Sequence, residues 1–130
     1  CIRDSETKMI NVGVIGYGYW GPNLVRNFNE TNGLNVCQVA DFDDNNLQKI
    51  GLKYPAIAVT TDDSKIINNK DIDAIAIATP VSTHYDLAMR CLKAGKHVLI
   101  EKPMADTSER CEKLIELADR KNLLLMVGHH

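Results

Sequence analysis

The chain has 130 residues, enough for one domain with a packed core and too few for two ordinary ones. It is 45% hydrophobic and 25% charged, as globular proteins are, and 15 basic against 17 acidic residues leave a net charge of -2, which gives no electrostatic reason for a nucleic-acid or membrane partner. No apolar stretch approaches a membrane span, no basic and then apolar leader opens the chain, and Cys1, Cys37, Cys91 and Cys111 form no C-x-x-C pair, so a cytoplasmic protein with reduced, buried thiols is expected.

Cys1 to Lys8 are polar and aperiodic and are set apart as a tail, leaving one domain from Met9 to His130. Ile10, Val12, Val14 and Ile15 predict a first strand, which runs directly into Gly16-Tyr17-Gly18-Tyr19-Trp20-Gly21. This is G-x-G-x-x-G between a strand and a helix. Gly16 allows the tight turn, Gly18 lets backbone approach a pyrophosphate, and Gly21 lets the helix pack on the strand. The diphosphate then sits on the free N–H groups of that helix. Pro22 stands where a first-turn proline is tolerated; Leu24, Val25 and Phe28 form the apolar helical face, and Asn32-Gly33 stops the helix.

A second strand, Leu34 to Ala40, ends in Asp41, twenty positions beyond Gly21. A carboxylate at that distance reaches the adenosine ribose hydroxyls; the alternative is that Asp41 only begins a turn or caps the next helix, for which Asp43 is better placed. Asp43 and Asp44 follow and no Lys or Arg appears until Lys49, so a 2′-phosphate meets repulsion and NAD is favoured over NADP. Leu47 and Ile50 mark a second helix closed by Gly51, Ala56 to Val59 a third strand, and Asp62 and Asp63 cap a short helix around Ile66 and Ile67 that Asn68-Asn69 ends.

The alternation then repeats. Ile72 to Ala78 reads as a strand buried on both faces, broken by Thr79-Pro80; Ser82 or Thr83 caps a helix bearing Leu87, Ala88, Cys91 and Leu92, which Ala94-Gly95 terminates. A fifth strand, His97 to Ile100, leads into Glu101-Lys102-Pro103. Asp106 with Glu109 starts a helix carrying Cys111, Leu114, Ile115 and Ala118, and a sixth strand, Leu123 to Val127, precedes Gly128-His129-His130. Six strands and five helices predict an α/β fold, a doubly wound parallel Rossmann sheet with helices on both faces. Ligands bind at the carboxyl edge of such sheets, where Gly16 to Gly21, Asp41, Thr79, Pro80, Glu101, Lys102 and His129 all fall.

With ATPVSTH (Ala78 to His84) and EKP (Glu101 to Pro103) placed behind GYGYWGP, the chain from Met9 to His130 resembles the N-terminal half of the Gfo/Idh/MocA oxidoreductases, the glucose-fructose oxidoreductase and inositol dehydrogenase family. YGYWGPNLVRNF is similar in particular to the branch acting on nucleotide-linked sugars. The resemblance implies a pyridine-nucleotide dehydrogenase of sugars, nucleotide sugars or polyols. It places backbone at Tyr19 and Trp20 against the diphosphate, Asp41 on the ribose, Thr79 and Pro80 near the cofactor with His84 nearby, Glu101 on the nicotinamide ribose, and His129 near the nicotinamide. It points Lys102 at the reacting carbon and substrate hydroxyl, and the Lys102-Pro103 bond is frequently cis in this family.

The chemistry agrees for Lys102: oxidising a carbinol needs a group that takes or orients the hydroxyl proton, and burial beside a positive ring lowers a lysine's pKa toward that task. The alternatives are a solvated lysine before a turn and, for His84, a histidine bonded within its own turn. Tyr17, Tyr19 and Trp20 are candidates to stack on a ligand, with core or interface packing the alternative for Trp20. No metal site is expected. Family members continue into a second α/β domain that supplies most substrate contacts and the oligomer interface, so the chain is expected to be a cofactor domain of a homo-oligomeric enzyme or a free-standing module. A non-catalytic NAD- or nucleotide-sensing module and a Rossmann protein for S-adenosylmethionine are the competing readings.

Overall fold

Strands that are apolar on both faces must be covered on both, and the crossover helices do that here. The computed structural model describes residues 9–18 and 20–128. In chain order the elements are β1 (Ile10–Ile15), α1 (Gly21–Glu30), β2 (Leu34–Ala40), α2 (Asp44–Lys53), β3 (Ala58–Thr60), α3 (Ser64–Ile67), β4 (Ala74–Ile77), α4 (His84–Lys93), β5 (His97–Glu101), α5 (Ser108–Arg120) and β6 (Leu125–Gly128), with a 3₁₀ turn, Val81–Thr83, before α4. All strand pairs are parallel and the order is β3-β2-β1-β4-β5-β6. The chain therefore leaves β1 in one direction and restarts at β4 in the other, which opens a crevice beyond their carboxyl ends.

The core lies in two layers. Val12, Val14, Val36 and Val39 of the sheet meet Val25 of α1 and Leu47 and Ile50 of α2 on one face. On the other, Ile75, Ile77, Val98 and Ile100 meet Ile66 and Ile67 of α3, Leu87, Cys91 and Leu92 of α4, and Leu114 of α5. Gly13 contributes by what it lacks: a Cβ there would stand 2.5 Å from Ile66 Cγ2, so the bare strand is what admits α3. Beside it β2 slips register, with Val12 opposite Val36 and Gly13 opposite Gln38, leaving Cys37 as the extra residue of a bulge.

Several boundaries differ from the expected ones. Helix α2 continues through Gly51 to Lys53, because an exposed glycine in a helix is a tolerable loss of about 1 kcal/mol rather than a stop. Strand β3 is Ala58–Thr60 rather than Ala56 to Val59, and β4 is Ala74–Ile77: Ile72 is core, and Asp73, just ahead of the strand, donates its N–H to Asn11 O at 2.8 Å while its side chain accepts from the Asn11 N–H at 2.9 Å. Strand β6 begins at Leu125, the N–H of Leu124 being taken by His97 Nδ1 at 3.0 Å. The N-cap of α5 is Thr107, whose hydroxyl accepts from the Arg110 N–H, and Asp106 instead pairs with the Arg110 guanidinium. At α3 the capping oxygen is that of Asp62, on the Ser64 N–H, while Asp63 turns to Arg90. Helix α4 begins at His84, with Ser82 and Thr83 inside the preceding turn.

Cys37 and Cys91 are buried thiols in no disulfide, and Cys111 is only partly covered; Cys1 lies outside the described residues. Burial pushes the Cys91 thiol up to about 12. Among the described residues no helix is long and apolar enough to cross a membrane.

Candidate functional site

Where β1 ends, Gly16 turns the chain at a φ of +99°, and an added Cβ would meet the Ala78 carbonyl oxygen at 2.6 Å. Only glycine satisfies both conditions. Two main-chain bonds hold this turn against the neighbouring strands: the Gly16 N–H donates to Ala40 O at 2.8 Å, and the Ala78 N–H donates to Ile15 O at 2.8 Å. A Cβ on Gly21 would strike the Gly16 carbonyl oxygen, so the start of α1 closes directly over the turn. Gly18 differs, for a Cβ there meets nothing within 4 Å. Its backbone faces open space, as an approaching diphosphate requires. Helix α1 has no side-chain oxygen capping its N-terminus and no acid in its first turn, which leaves its positive end to an anion.

Asp41 follows β2 directly. Its Oδ2 accepts from the Tyr17 N–H at 2.6 Å and from Asn46 Nδ2 at 3.4 Å, and its Oδ1 accepts from the Asp43 N–H at 2.8 Å. Asp41 thus starts a turn and also clamps the glycine loop to the end of β2. The α2 cap is Asp43, whose carboxylate accepts from the Asn45 N–H.

At the ends of β4 and β5 side chains take over. Thr79 Oγ1 lies 2.6 Å from Thr83 Oγ1, which donates to the Pro80 carbonyl. His84, 1% exposed, sets Nε2 2.8 Å from the Thr79 carbonyl and Nδ1 2.9 Å from the Pro103 carbonyl. Both nitrogens are taken by protein, so the ring forms the wall of the cleft. Glu101 ends β5 partly buried; Lys102 is exposed, its N–H on the Gly128 carbonyl at 3.3 Å, and the bond from it to Pro103 is cis.

These groups share one cleft of about 790 Å³, lined by Gly16, Gly18, Trp20, Asp41, Thr79, Pro80, His84, Glu101 and Lys102. Its size lies within the range of small-molecule and cofactor sites. Tyr17 is the exception among the aromatics: its side chain is 6% exposed, packs with the α1–α2 core layer, and has its phenol pushed up by burial and by Tyr54, so it stacks on no ligand. Tyr19 and His129 lie outside the described residues.

The cleft also holds residues that spacing in the sequence did not suggest. Phe42, 83% exposed, stands beside Asp41, and Arg90 of α4 reaches in with its guanidinium 3.1 Å from Asp63. The signal for Phe42 was its place after the strand-end acid; for Arg90 there was none, since it comes from another helix. Among the described residues no cluster of three or more His, Cys, Asp or Glu could hold a metal.

The open backbone at Gly18, the uncapped α1 terminus and Asp41 fit a pyridine dinucleotide, and known proteins agree. The model of the Gfo/Idh/MocA family, an oxidoreductase family with an NAD-binding Rossmann fold, matches residues 10–129. The scyllo-inositol 2-dehydrogenase (NADP(+)) of Bacillus subtilis is 33% identical, over 96% of this chain and 34% of its own length. Among solved structures, biliverdin reductase from Synechocystis, in complex with biliverdin and NADP+, superposes with a TM-score of 0.87 at 30% identity, covering 92% of this chain and 38% of that one. Apo scyllo-inositol dehydrogenase from Lactobacillus casei does so with 0.86 at 25% identity, covering 94% and 37%. The chain spans about a third of the length of these relatives.

Proposed function

The chain belongs to the Gfo/Idh/MocA oxidoreductase family as an NAD(P)-binding domain, and from that premise we propose that it is the cofactor half of an enzyme oxidising or reducing a hydroxyl-bearing carbon of a sugar, nucleotide sugar or polyol. The observation that carries this reading is one cleft bordered both by the open glycine backbone at Gly18 and by Lys102. A bound nicotinamide supplies the hydride chemistry. The protein's part is placement and proton handling: the α1 terminus and Gly18 receive the diphosphate, Glu101 the nicotinamide ribose, and the Lys102 side chain takes the hydroxyl proton as an amine or returns it as an ammonium.

A carboxylate offers about four lone-pair sites, so beyond its three bonds to Tyr17, Asp43 and Asn46 Asp41 retains capacity for about one ribose hydroxyl. The same charge repels a 2′-phosphate, and Arg90, which also lines the cleft, is answered by Asp63. NAD is therefore the favoured cofactor, although two of the relatives carry NADP in their names or structures. The relatives named for scyllo-inositol support a polyol-like substrate. Their threefold greater length supports a substrate domain and an oligomer interface outside residues 9–130.

Calorimetry with NAD, NADP and S-adenosylmethionine tests the reading. NAD should bind most tightly; preference for S-adenosylmethionine refutes the dehydrogenase, and preference for NADP refutes the role of Asp41. In the full-length enzyme Lys102→Ala should lower kcat by about two to four orders of magnitude with cofactor affinity unchanged. Unchanged turnover excludes Lys102.

A further inference from the structure

His84 is the described side chain whose two ring nitrogens reach separate loops of the cleft. Its Nε2 stands at the Thr79 carbonyl, five residues back, and its Nδ1 at the Pro103 carbonyl, nineteen residues on. The ring projects from the first residue of α4, a helix fixed in the core by Leu87, Ala88, Cys91 and Leu92. A rigid helix therefore sets the distance between the loop after β4 and the loop after β5. Lys102 sits next to Pro103, is exposed, and has a long N–H bond to Gly128 at 3.3 Å as its own main-chain tie. A lysine ammonium on four rotatable bonds is only as well aimed as the backbone beneath it. We propose that His84 is a positioning residue for Lys102, holding the Lys102-Pro103 backbone in place through Pro103 while its other nitrogen locks the Thr79 loop.

The inference rests on the reading of Lys102 given above. A direct ligand role for the ring is disfavoured by the same geometry, which leaves neither nitrogen to a cofactor. Carbonyl oxygens only accept, so each contact is a hydrogen bond when its ring nitrogen carries a hydrogen. The charged groups lining the cleft with the ring are Asp86 and Arg90 from α4 itself, Asp63 ahead of α3, Asp41 after β2, and Glu101 and Lys102 from the end of β5.

Asparagine and glutamine separate the two contacts. His84→Asn keeps a donor near the Nδ1 position, toward Pro103, and His84→Gln keeps one near Nε2, toward Thr79. In the full-length enzyme His84→Gln should lower kcat by about tenfold to a hundredfold, with the cofactor Kd, read from Trp20 fluorescence, moving less than about twofold; His84→Asn should recover most of the loss. Equal losses in the two variants, or a loss confined to Kd, overturn the proposal. In a Lys102→Ala background His84→Gln should lower turnover no further, and a fully additive loss overturns it. Should neither variant fold, nitrogen spectra of histidine-labelled wild-type enzyme decide: the His84 Nδ1 should bear a hydrogen, and a bare nitrogen toward Pro103 overturns the strut. If Lys102→Ala alone leaves turnover unchanged, the reading of Lys102 falls; if it abolishes turnover while His84→Gln does nothing, only the strut falls.

Discussion

Around β1 and β2 the cleft wall is mostly main chain: Gly16 turns at a φ of +99°, Gly21 makes room for the Gly16 carbonyl, and the Asp41 carboxylate accepts from the main-chain N–H groups of Tyr17 and Asp43. Around β4 and β5 the wall is side chains: the Thr79–Thr83 hydroxyl pair, the buried His84 ring and Lys102. A main-chain wall binds what any dinucleotide offers, a diphosphate and a ribose, and depends on side chains being absent. A side-chain wall depends on contacts between residues distant in sequence and, on the reading proposed above, handles the part of the reaction that differs between substrates. The first is strict about shape and the second about chemistry.

Gly16→Ala should break the main-chain wall most severely. The Cβ collides with backbone at Ala78 and the residue is held at positive φ, so a loss of about 2–4 kcal/mol in denaturant unfolding is expected, together with loss of cofactor binding. Asp41→Ala should follow at about 1–3 kcal/mol, since it strands the Tyr17 N–H, and NAD affinity should fall with stability rather than independently of it. If affinity falls and stability does not, Asp41 is a ribose ligand only and the clamp is unimportant.

Cys91 probes the support of the other wall, because it packs in the same helix that begins with His84. Its thiol stays neutral up to about 12 in the folded protein, whereas an unfolded cysteine ionises near about 8.5, so the unfolded state binds fewer protons in between. Stability should fall as pH rises above about 9, with up to about 1.4 kcal/mol per pH unit from this one group. Thermal melts of wild type and Cys91→Ala check it, the variant showing the shallower slope. Gly18→Ala should have the smallest effect on the fold, within about 0.5 kcal/mol, because its Cβ meets nothing. It should nonetheless weaken NAD binding, and an unchanged Kd would show that the diphosphate does not approach Gly18.

The main-chain wall was the more legible in the sequence, and for a physical reason. Glycines that must be glycines sit at fixed offsets after an apolar strand, and Asp41 follows from the length of the next strand; β1, β2 and the turn at Gly16 lie where the pattern put them. Local punctuation was less reliable where tertiary contacts compete with it. Gly51 did not stop α2, and the His97 ring takes the Leu124 N–H, so that β6 begins at Leu125. The side-chain wall was visible as a list of residue types, yet not as a geometry. No spacing rule links His84 to Pro103 or Arg90 to Asp63, because those pairs exist only once α4 is laid against the sheet.

The clamp from Asp41 to the Tyr17 N–H bears on how such a protein can change over evolutionary time. The residue that would have to be replaced to admit a 2′-phosphate is also the anchor of the glycine turn. A switch of cofactor by a single substitution here removes a loop anchor as it removes a charge. On the NAD reading proposed above, the path to an NADP-using descendant runs through a prior change that secures Tyr17 by other means, and the order of those two steps is constrained by stability before catalysis is ever selected.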